Sequence, residues 1–447
     1  MVAMFAATSD NLHNVDLHHH LAPNMRVGSS LLVTLLIFPL MVGCIGDEKD
    51  PSKECDTGID YEPLVPDPFS STVANVRLAD WDSDGIDEAF YTMPLDGVVS
   101  LLDCDSTGCD ETTISLGITA PVRTHVVDLD SDGALDLVVS DIGILSPDDS
   151  LVGKVVTYWG SSGIEATPEV IIDGIGRTVC AESGDFDGDG DLDLVVCEFG
   201  NMEGSVFWLE QVEDGEWIHH EMDNRSGAIH AFPFDADGDG DLDIAVSLSQ
   251  TSEEVDLFLN DGTGNFSLKK LVESDDIYYG MSGLEVVDID SDGDYDIIYS
   301  NGDTLDMDVP EGVDPHELHG VSLLENDGEG NFTEIRLLSL WGSYVGHASD
   351  LDGDGDMDIL VGTMQIDYIF PNTDKIDLVV LENIGQREFI THEYENAVRY
   401  LITMDTGDID GDGEIDILSG SHRLGLDGQA HRSIELTWHG EEVCLDG

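Results

Sequence analysis

Seven copies of one acidic loop, a mean spacing of about 55 residues between them, and short β-branched runs around them predict an all-β chain. The expected architecture is a seven-bladed β-propeller of four-stranded blades, with one D-x-D-x-D-G-x-x-D loop per blade. The copies are DWDSDGIDE at 80–88, DLDSDGALD at 128–136, DFDGDGDLD at 185–193 and DADGDGDLD at 235–243, then DIDSDGDYD at 288–296, DLDGDGDMD at 350–358 and DIDGDGEID at 408–416. Composition agrees. The chain has 447 residues, too many for one compact core unless repeated units share it. Hydrophobic residues make up 41%, which excludes a disordered chain despite the charge. Lys plus Arg number 16 against 95 Asp plus Glu, a net charge of −79 that excludes binding to a phosphate backbone. Such acidity suits a salt-rich or cation-rich surrounding, where self-repulsion is screened.

The N-terminal 66 residues read as an address and a tether. Residues 1–24 contain no Lys or Arg and stand ahead of a better start at Met25, so they are expected to be a mis-called extension. His18, His19 and His20 lie there; metal binding by them is the lesser reading. Residues 25–43 have the form of a lipoprotein signal peptide. Arg26 precedes the apolar run LLVTLLIFPLMV at 31–42, which is too short to span a bilayer. MVGC resembles a lipobox, with Cys44 the lipidated residue; an ordinary secretory signal with an incidental Cys is the competing reading. Residues 44–66, with Pro51, Pro63 and Pro66, form the tether, and 67–447 the propeller.

The loop spacing has a chemical reason. Carboxylates at positions 1, 3 and 5 of a tight loop converge on one point, and Gly at position 6 permits the turn. A carbonyl at position 7 and a carboxylate at position 9 complete an oxygen shell for a hard cation such as Ca2+. An EF-hand would need Glu at position 12, where this chain has Tyr91, Val139, Val196, Val246, Tyr299, Val361 and Ser419. Each loop instead runs into a strand: LVVS after Asp136, LVVC after Asp193, IAVS after Asp243, IIYS after Asp296, ILVG after Asp358. Further strands end in hairpin turns, as in DLFLNDGTGNF at 256–266 and SLLENDGEGNF at 322–332.

In these loops and hairpins the sequence resembles the FG-GAP/VCBS repeat family, whose propellers include that of the integrin α subunit. The resemblance covers about 67–447 and implies about seven Ca2+ ions, one per loop. The implied ligands are Asp80, Asp82, Asp84 and Glu88; Asp128, Asp130, Asp132 and Asp136; Asp185, Asp187, Asp189 and Asp193; and Asp235, Asp237, Asp239 and Asp243. They continue with Asp288, Asp290, Asp292 and Asp296; Asp350, Asp352, Asp354 and Asp358; and Asp408, Asp410, Asp412 and Asp416. Glu88 departs from the pattern by one methylene, which puts the first site's geometry in question. Seven such ions would bring the charge from −79 only to −65, so most of the acidity belongs to the surface.

With Cys44 assigned to a lipid, six cysteines remain. Cys104 and Cys109 flank a short turn, Cys180 and Cys197 flank the third loop, and Cys55 and Cys444 stand at the two ends of the propeller, so three disulfides are expected in these pairings. No CxxC pair suggests zinc.

Two places are expected to bind a ligand. The residues three before each loop should point toward the axis: Arg77, His125, Glu182, Phe232, Glu285, His347 and Asp405, of which the six polar ones form a candidate ligand ring. Insertions at 141–154, 303–320, 365–375 and 421–432 carry His316, His319, Tyr368, His422, Arg423, His431 and Arg432, and should gather on one face. A hydrated channel and plain surface variation are the plainer readings of the two. No GxSxG, HExxH or Walker loop is present. The expected function is a monomeric, lipid-anchored, Ca2+-stabilised binding or adhesion module outside the cell, with a protein or glycan partner. The alternative is an extracellular enzyme using the axial pocket, a polysaccharide lyase or a quinone-type dehydrogenase.

Overall fold

The computed structural model describes residues 72–436, apart from 106–107, 165, 213–214, 251, 277, 304–317, 366–375, 386, 395–399 and 423–433. Each acidic loop joins an inner strand to a second strand. In blade 1 these are Asn75–Ala79 and Glu88–Met93, followed by Val98–Asp105 and Gly108–Ile114 in one antiparallel meander. The remaining inner strands are Pro121–Val127, Thr178–Gly184, Ala228–Phe234, Met281–Val287, Ser343–Ser349 and Leu401–Gly407. Each packs against the next, and the last packs against the first, closing a ring.

Six of the sheets are four-stranded blades, with strands in sequence order. Among the described residues the last sheet has three strands, Leu401–Gly407, Asp416–Ser421 and Ile434–Leu436. The expectation of seven four-stranded blades is therefore corrected to six, with a three-stranded sheet in the remaining sector. The reason is that an acidic loop marks only the junction of inner and second strands and says nothing about a fourth. Segments 57–66 and 440–446 lie outside the described residues, as do Cys44, Cys55 and Cys444.

The second strands are short apolar runs because both of their faces are covered. Asp136–Asp141 and Asp358–Thr363 are buried at every position. Outer strands such as Glu216–Asp223 alternate between exposure and partial burial. The core consequently lies between blades as a series of wedges. Phe207 and Leu209 of blade 3 pack with Val138 and Val155 of blade 2, and Ile359 and Val361 of blade 6 with Ile298 and Leu323 of blade 5. Ile409 and Leu418 of the last sheet pack with Val76, Ala89 and Tyr91 of blade 1. Each fully buried Val, Leu, Ile or Phe among them contributes about 1.5–3 kcal/mol.

Polar latches cross the same seams. Asn260 in blade 4 donates its side-chain amide to the Phe186 carbonyl, at position 2 of the blade 3 loop, at 2.8 Å. Asn326 reaches Ala236 of blade 4 at 2.9 Å, and Asn383 reaches Ile289 of blade 5 at 3.2 Å. The closing seam uses other groups. The Val76 amide donates to Thr403 Oγ1 (3.2 Å), the Leu78 amide to Asp405 Oδ2 (2.8 Å) and the Asp408 amide to Asp87 Oδ2 (3.2 Å).

Candidate functional site: acidic loops and an axial cavity

The seven loops share one hydrogen-bond pattern. At position 1, Oδ2 accepts the position 6 glycine amide, as in Asp80 from Gly85 (3.1 Å), Asp288 from Gly293 (3.0 Å) and Asp408 from Gly413 (3.0 Å). That glycine has φ of 88 to 98° in every loop, and a Cβ there would meet nothing within 4 Å, so glycine is required by the backbone angle and not by space. The position 3 carboxylate accepts the position 5 amide in most loops, as in Asp130 from Asp132 at 3.1 Å. The position 5 carboxylate accepts the position 7 amide, as in Asp354 from Asp356 at 2.9 Å.

Position 9 is the buried anchor. Asp193 Oδ2 accepts the Phe186 amide at 3.0 Å, and its Oδ1 accepts the Gln211 amide from the third strand at 2.9 Å. Asp136, Asp243, Asp296 and Asp358 repeat this double bond. Glu88 Oε2 accepts the Trp81 amide at 2.6 Å and joins Asp80 and Asp82, so the longer side chain takes up the same place. Burial first, with neighbouring carboxylates adding to it, pushes Asp193, Asp296, Asp358 and Glu88 up to about 7 and Asp243 to about 6.

This donor set fits a hard cation. Carboxylate oxygens within 4.8 Å of one another come from positions 1, 3 and 9 in the first, second, third and fifth loops, and from Asp235, Asp237 and Asp239 in the fourth. Among the described residues, the buried Oδ1 atoms of Asp80 and Asp350 have no hydrogen-bond partner, as expected of ligand atoms facing an ion.

The axis holds the second feature. A cavity of about 300 Å³ is lined by residues of all seven inner strands. Arg77, Phe232, Glu285, His347 and Asp405 line it as expected. His125 and Glu182 do not. They bond to each other (Nδ1 to Oε2, 2.9 Å), and Glu182 also accepts from Arg123 Nε at 2.8 Å. The ring of six polar residues is therefore corrected to four at the cavity, because these two satisfy one another inside the wall. Arg123 and His230, which also line the cavity, were missed by counting only three residues back from each loop. They lie two residues before His125 and Phe232, so strand alternation was the available signal.

The charges around the cavity are paired. His347 Nδ1 lies 3.1 Å from Glu285 Oε2, and Arg77 Nη1 lies 3.7 Å from Asp405 Oδ2. Burial disfavours a charged His347, but Glu285 and Asp405 outweigh it and raise this imidazole to about 8. His230 is the opposite case. Arg123 Nη1 donates to its Nδ1 at 2.5 Å, which leaves Nε2–H to donate to the Ser282 carbonyl at 3.1 Å. Burial, then the Arg123 charge, lower His230 to about 3, so it is neutral. Burial opposes ionisation of Glu182, yet His125 and Arg123 hold its carboxyl far below the usual range. The Arg123 guanidinium also stands over the Phe232 ring, 5.4 Å from its centroid. Among the described residues, Arg77 Nε and the hydroxyl of Tyr344 are buried in the wall without a hydrogen-bond partner.

The insertions are less open than expected. His319 is buried, with Nε2 bonded to the Tyr278 carbonyl (3.0 Å) and Nδ1 accepting the Gly342 amide (3.3 Å). His422 is buried, 3.1 Å from Thr72 Oγ1. These two are corrected from ligand candidates to wall residues, because their rings serve backbone or neighbouring groups. His316, Tyr368, Arg423, His431 and Arg432 lie outside the described residues. Segment 141–154 is fastened down. Fully buried Arg177 donates to the carbonyls of Ile144, Leu145 and Gly200, while Asp149 Oδ1 accepts the amides of Asn201, Met202 and Glu203. Disulfides join Cys104 to Cys109 and Cys180 to Cys197.

Comparison with known proteins gives the class. The FG-GAP-like repeat profile matches residues 128–196, 185–246 and 235–299, which span the second to fifth loops. The protein is a β-propeller whose residues 128–299 match FG-GAP-like repeats, an arrangement suited to a binding module, and its disulfides fit an oxidising, extracellular setting. No curated protein matches the sequence. A solved structure described as the crystal structure of BBS1N in complex with ARL6DN, soaked with mercury, is similar at 12% identity and a TM-score of 0.49, covering 86% of this chain and 98% of that one. A likeness so distant has no bearing on function.

Proposed function

We propose that the protein is a cell-surface binding or adhesion module, anchored through a lipid on Cys44, stabilised by Ca2+ in its acidic loops, and receiving the end of a glycan in its axial cavity. The cavity, with charged side chains from several inner strands around it, is the observation that carries this reading. Its charges are paired within the wall, so no net charge is left to select an ion. Arg77 and Arg123 offer guanidinium hydrogens, while Glu285 and Asp405 offer acceptor oxygens. A neutral hydroxylated ligand, in which every OH both donates and accepts, suits that set. The volume lies at the small end of ligand pockets and suits one or two sugar units. Asp80, Asp82 and Glu88, with their counterparts in the other loops, would hold the ions. When bound, each ion would neutralise the carboxylates beneath it.

The test is a glycan array followed by calorimetry on the mature protein in Ca2+, with Arg77→Ala and Asp405→Asn. The expected result is a glycan whose affinity falls about tenfold in each variant, about 1.4 kcal/mol, with little change in melting temperature. Binding that survives both substitutions, or that maps to a protein partner on the outer surface, overturns the cavity assignment. The His347–Glu285 pair favours a second reading, an enzyme acting in the same cavity; cleavage of the bound glycan, lost in His347→Gln, would establish it.

A further inference from the structure

The hairpins that follow the latch asparagines lie over the acidic loop of the preceding blade. In blade 5 the hairpin reads NDGEGNF at 326–332, and in blade 6 it reads NIGQREF at 383–389, so Arg387 occupies the place of Gly330. Both have left-handed backbones, with φ of 71° at Gly330 and 65° at Arg387. At Gly330, an added Cβ would stand 3.1 Å from the Cβ of Asp237, position 3 of the blade 4 loop. One seam further on, a side chain is present. Arg387 Nη2 lies 2.8 Å and Nε 3.2 Å from Oδ2 of Asp290, position 3 of the blade 5 loop, and the guanidinium also pairs with Glu325. Asp290 is one of the three carboxylates, with Asp288 and Asp296, whose oxygens converge in that loop.

We propose that Arg387 is a built-in counter-cation of the blade 5 loop, lowering its affinity for Ca2+ below that of the blade 4 loop, so that blade 5 empties first as Ca2+ falls. The inference rests on reading the loops as Ca2+ sites. A fixed guanidinium on a ligand carboxylate repels an incoming divalent ion and competes for one of its oxygens. Because Arg387 is half exposed, solvent screens the effect, which should amount to about three- to tenfold in affinity.

The blade 5 loop contains its own reporter. Tyr295 occupies position 8, and its ring can sensitise luminescence from Tb3+ bound beside it. The experiment titrates Tb3+ into the full chain and into Arg387→Gly, reading the Tyr-excited emission that Tyr295→Phe removes. Native mass spectrometry counts Ca2+ at limiting concentration in parallel. The expected result is a midpoint three- to tenfold lower in Arg387→Gly, weak binding retained in Arg387→Lys, and one more Ca2+ held by Arg387→Gly than by the natural protein. Equal midpoints and equal ion counts overturn the role of Arg387 while leaving the loops as metal sites. No Ca2+ retained by either protein, with no Tyr295-dependent emission, overturns the Ca2+ reading itself.

Discussion

His230 and His347 line one cavity in opposite protonation states, and the surrounding residues account for both. A guanidinium donates to His230, while two carboxylates face His347. An unfolded histidine titrates near 6.5. His347, raised to about 8, therefore adds stability that is complete below about 6.5 and is lost as pH rises through about 8. Its contribution is about 2 kcal/mol. His230, lowered to about 3, adds stability present above about 6.5 and lost as pH falls toward 3. With Ca2+ saturating, His347→Gln should be about 2 kcal/mol less stable than the natural protein at pH 6, and the gap should close by about pH 9. Urea unfolding across that range measures it; a gap independent of pH would exclude the linkage. Arg77, Glu285, His347 and Asp405 were legible from their fixed distance to each loop. The cross-strand pairing that withdraws His125 and Glu182 was not, because it depends on Arg123 in one inner strand and Glu182 in the next.

Between elements, the latch asparagines do what the turn signal alone did not reveal. Asn-Asp-Gly reads as a hairpin, and the hairpins are there. The additional amide bond runs to a carbonyl 74 to 94 residues earlier in another blade, which no local pattern can announce. Asn326 donates both to Ala236 across the seam and to Tyr295 in its own blade (3.1 Å). Asn326→Ala should leave those two carbonyls unpaired and cost about 2 kcal/mol. Chemical denaturation checks it. A loss below about 0.5 kcal/mol would mean that water replaces the amide.

For the molecule as a whole, period and loop chemistry were legible and closure was not. Seven loops state how many inner strands exist, and the ring of inner strands follows. The number of complete blades depends on fourth strands, whose sequences carry no motif. The closing seam also differs from its neighbours. A carboxylate, Asp87, takes the Asp408 amide beside an acidic loop, whereas the seams between blades 3 and 4, 4 and 5, and 5 and 6 are latched by a neutral asparagine amide. Repulsion at that seam should respond to ionic strength. Raising salt from about 0.02 to about 0.5 M should slow hydrogen exchange at the Val76 and Leu78 amides more than at the Gly227 amide, which donates to the Phe199 carbonyl across the seam of blades 3 and 4. Equal slowing at both places would refute a distinct closing seam.

The direction of the latches bears on how the ring is made. Each asparagine reaches back to a blade that precedes it in the chain, never forward. A chain emerging from its N-terminus can therefore dock each new blade on a finished one, by closures of fewer than a hundred residues. Only the contacts between the first and last inner strands, 327 residues apart, must wait for the end. Until then, the apolar faces of the first and last sheets are bare. The growing propeller is thus an open arc with two sticky ends, and completing the circle is the step at which two such chains could join each other instead.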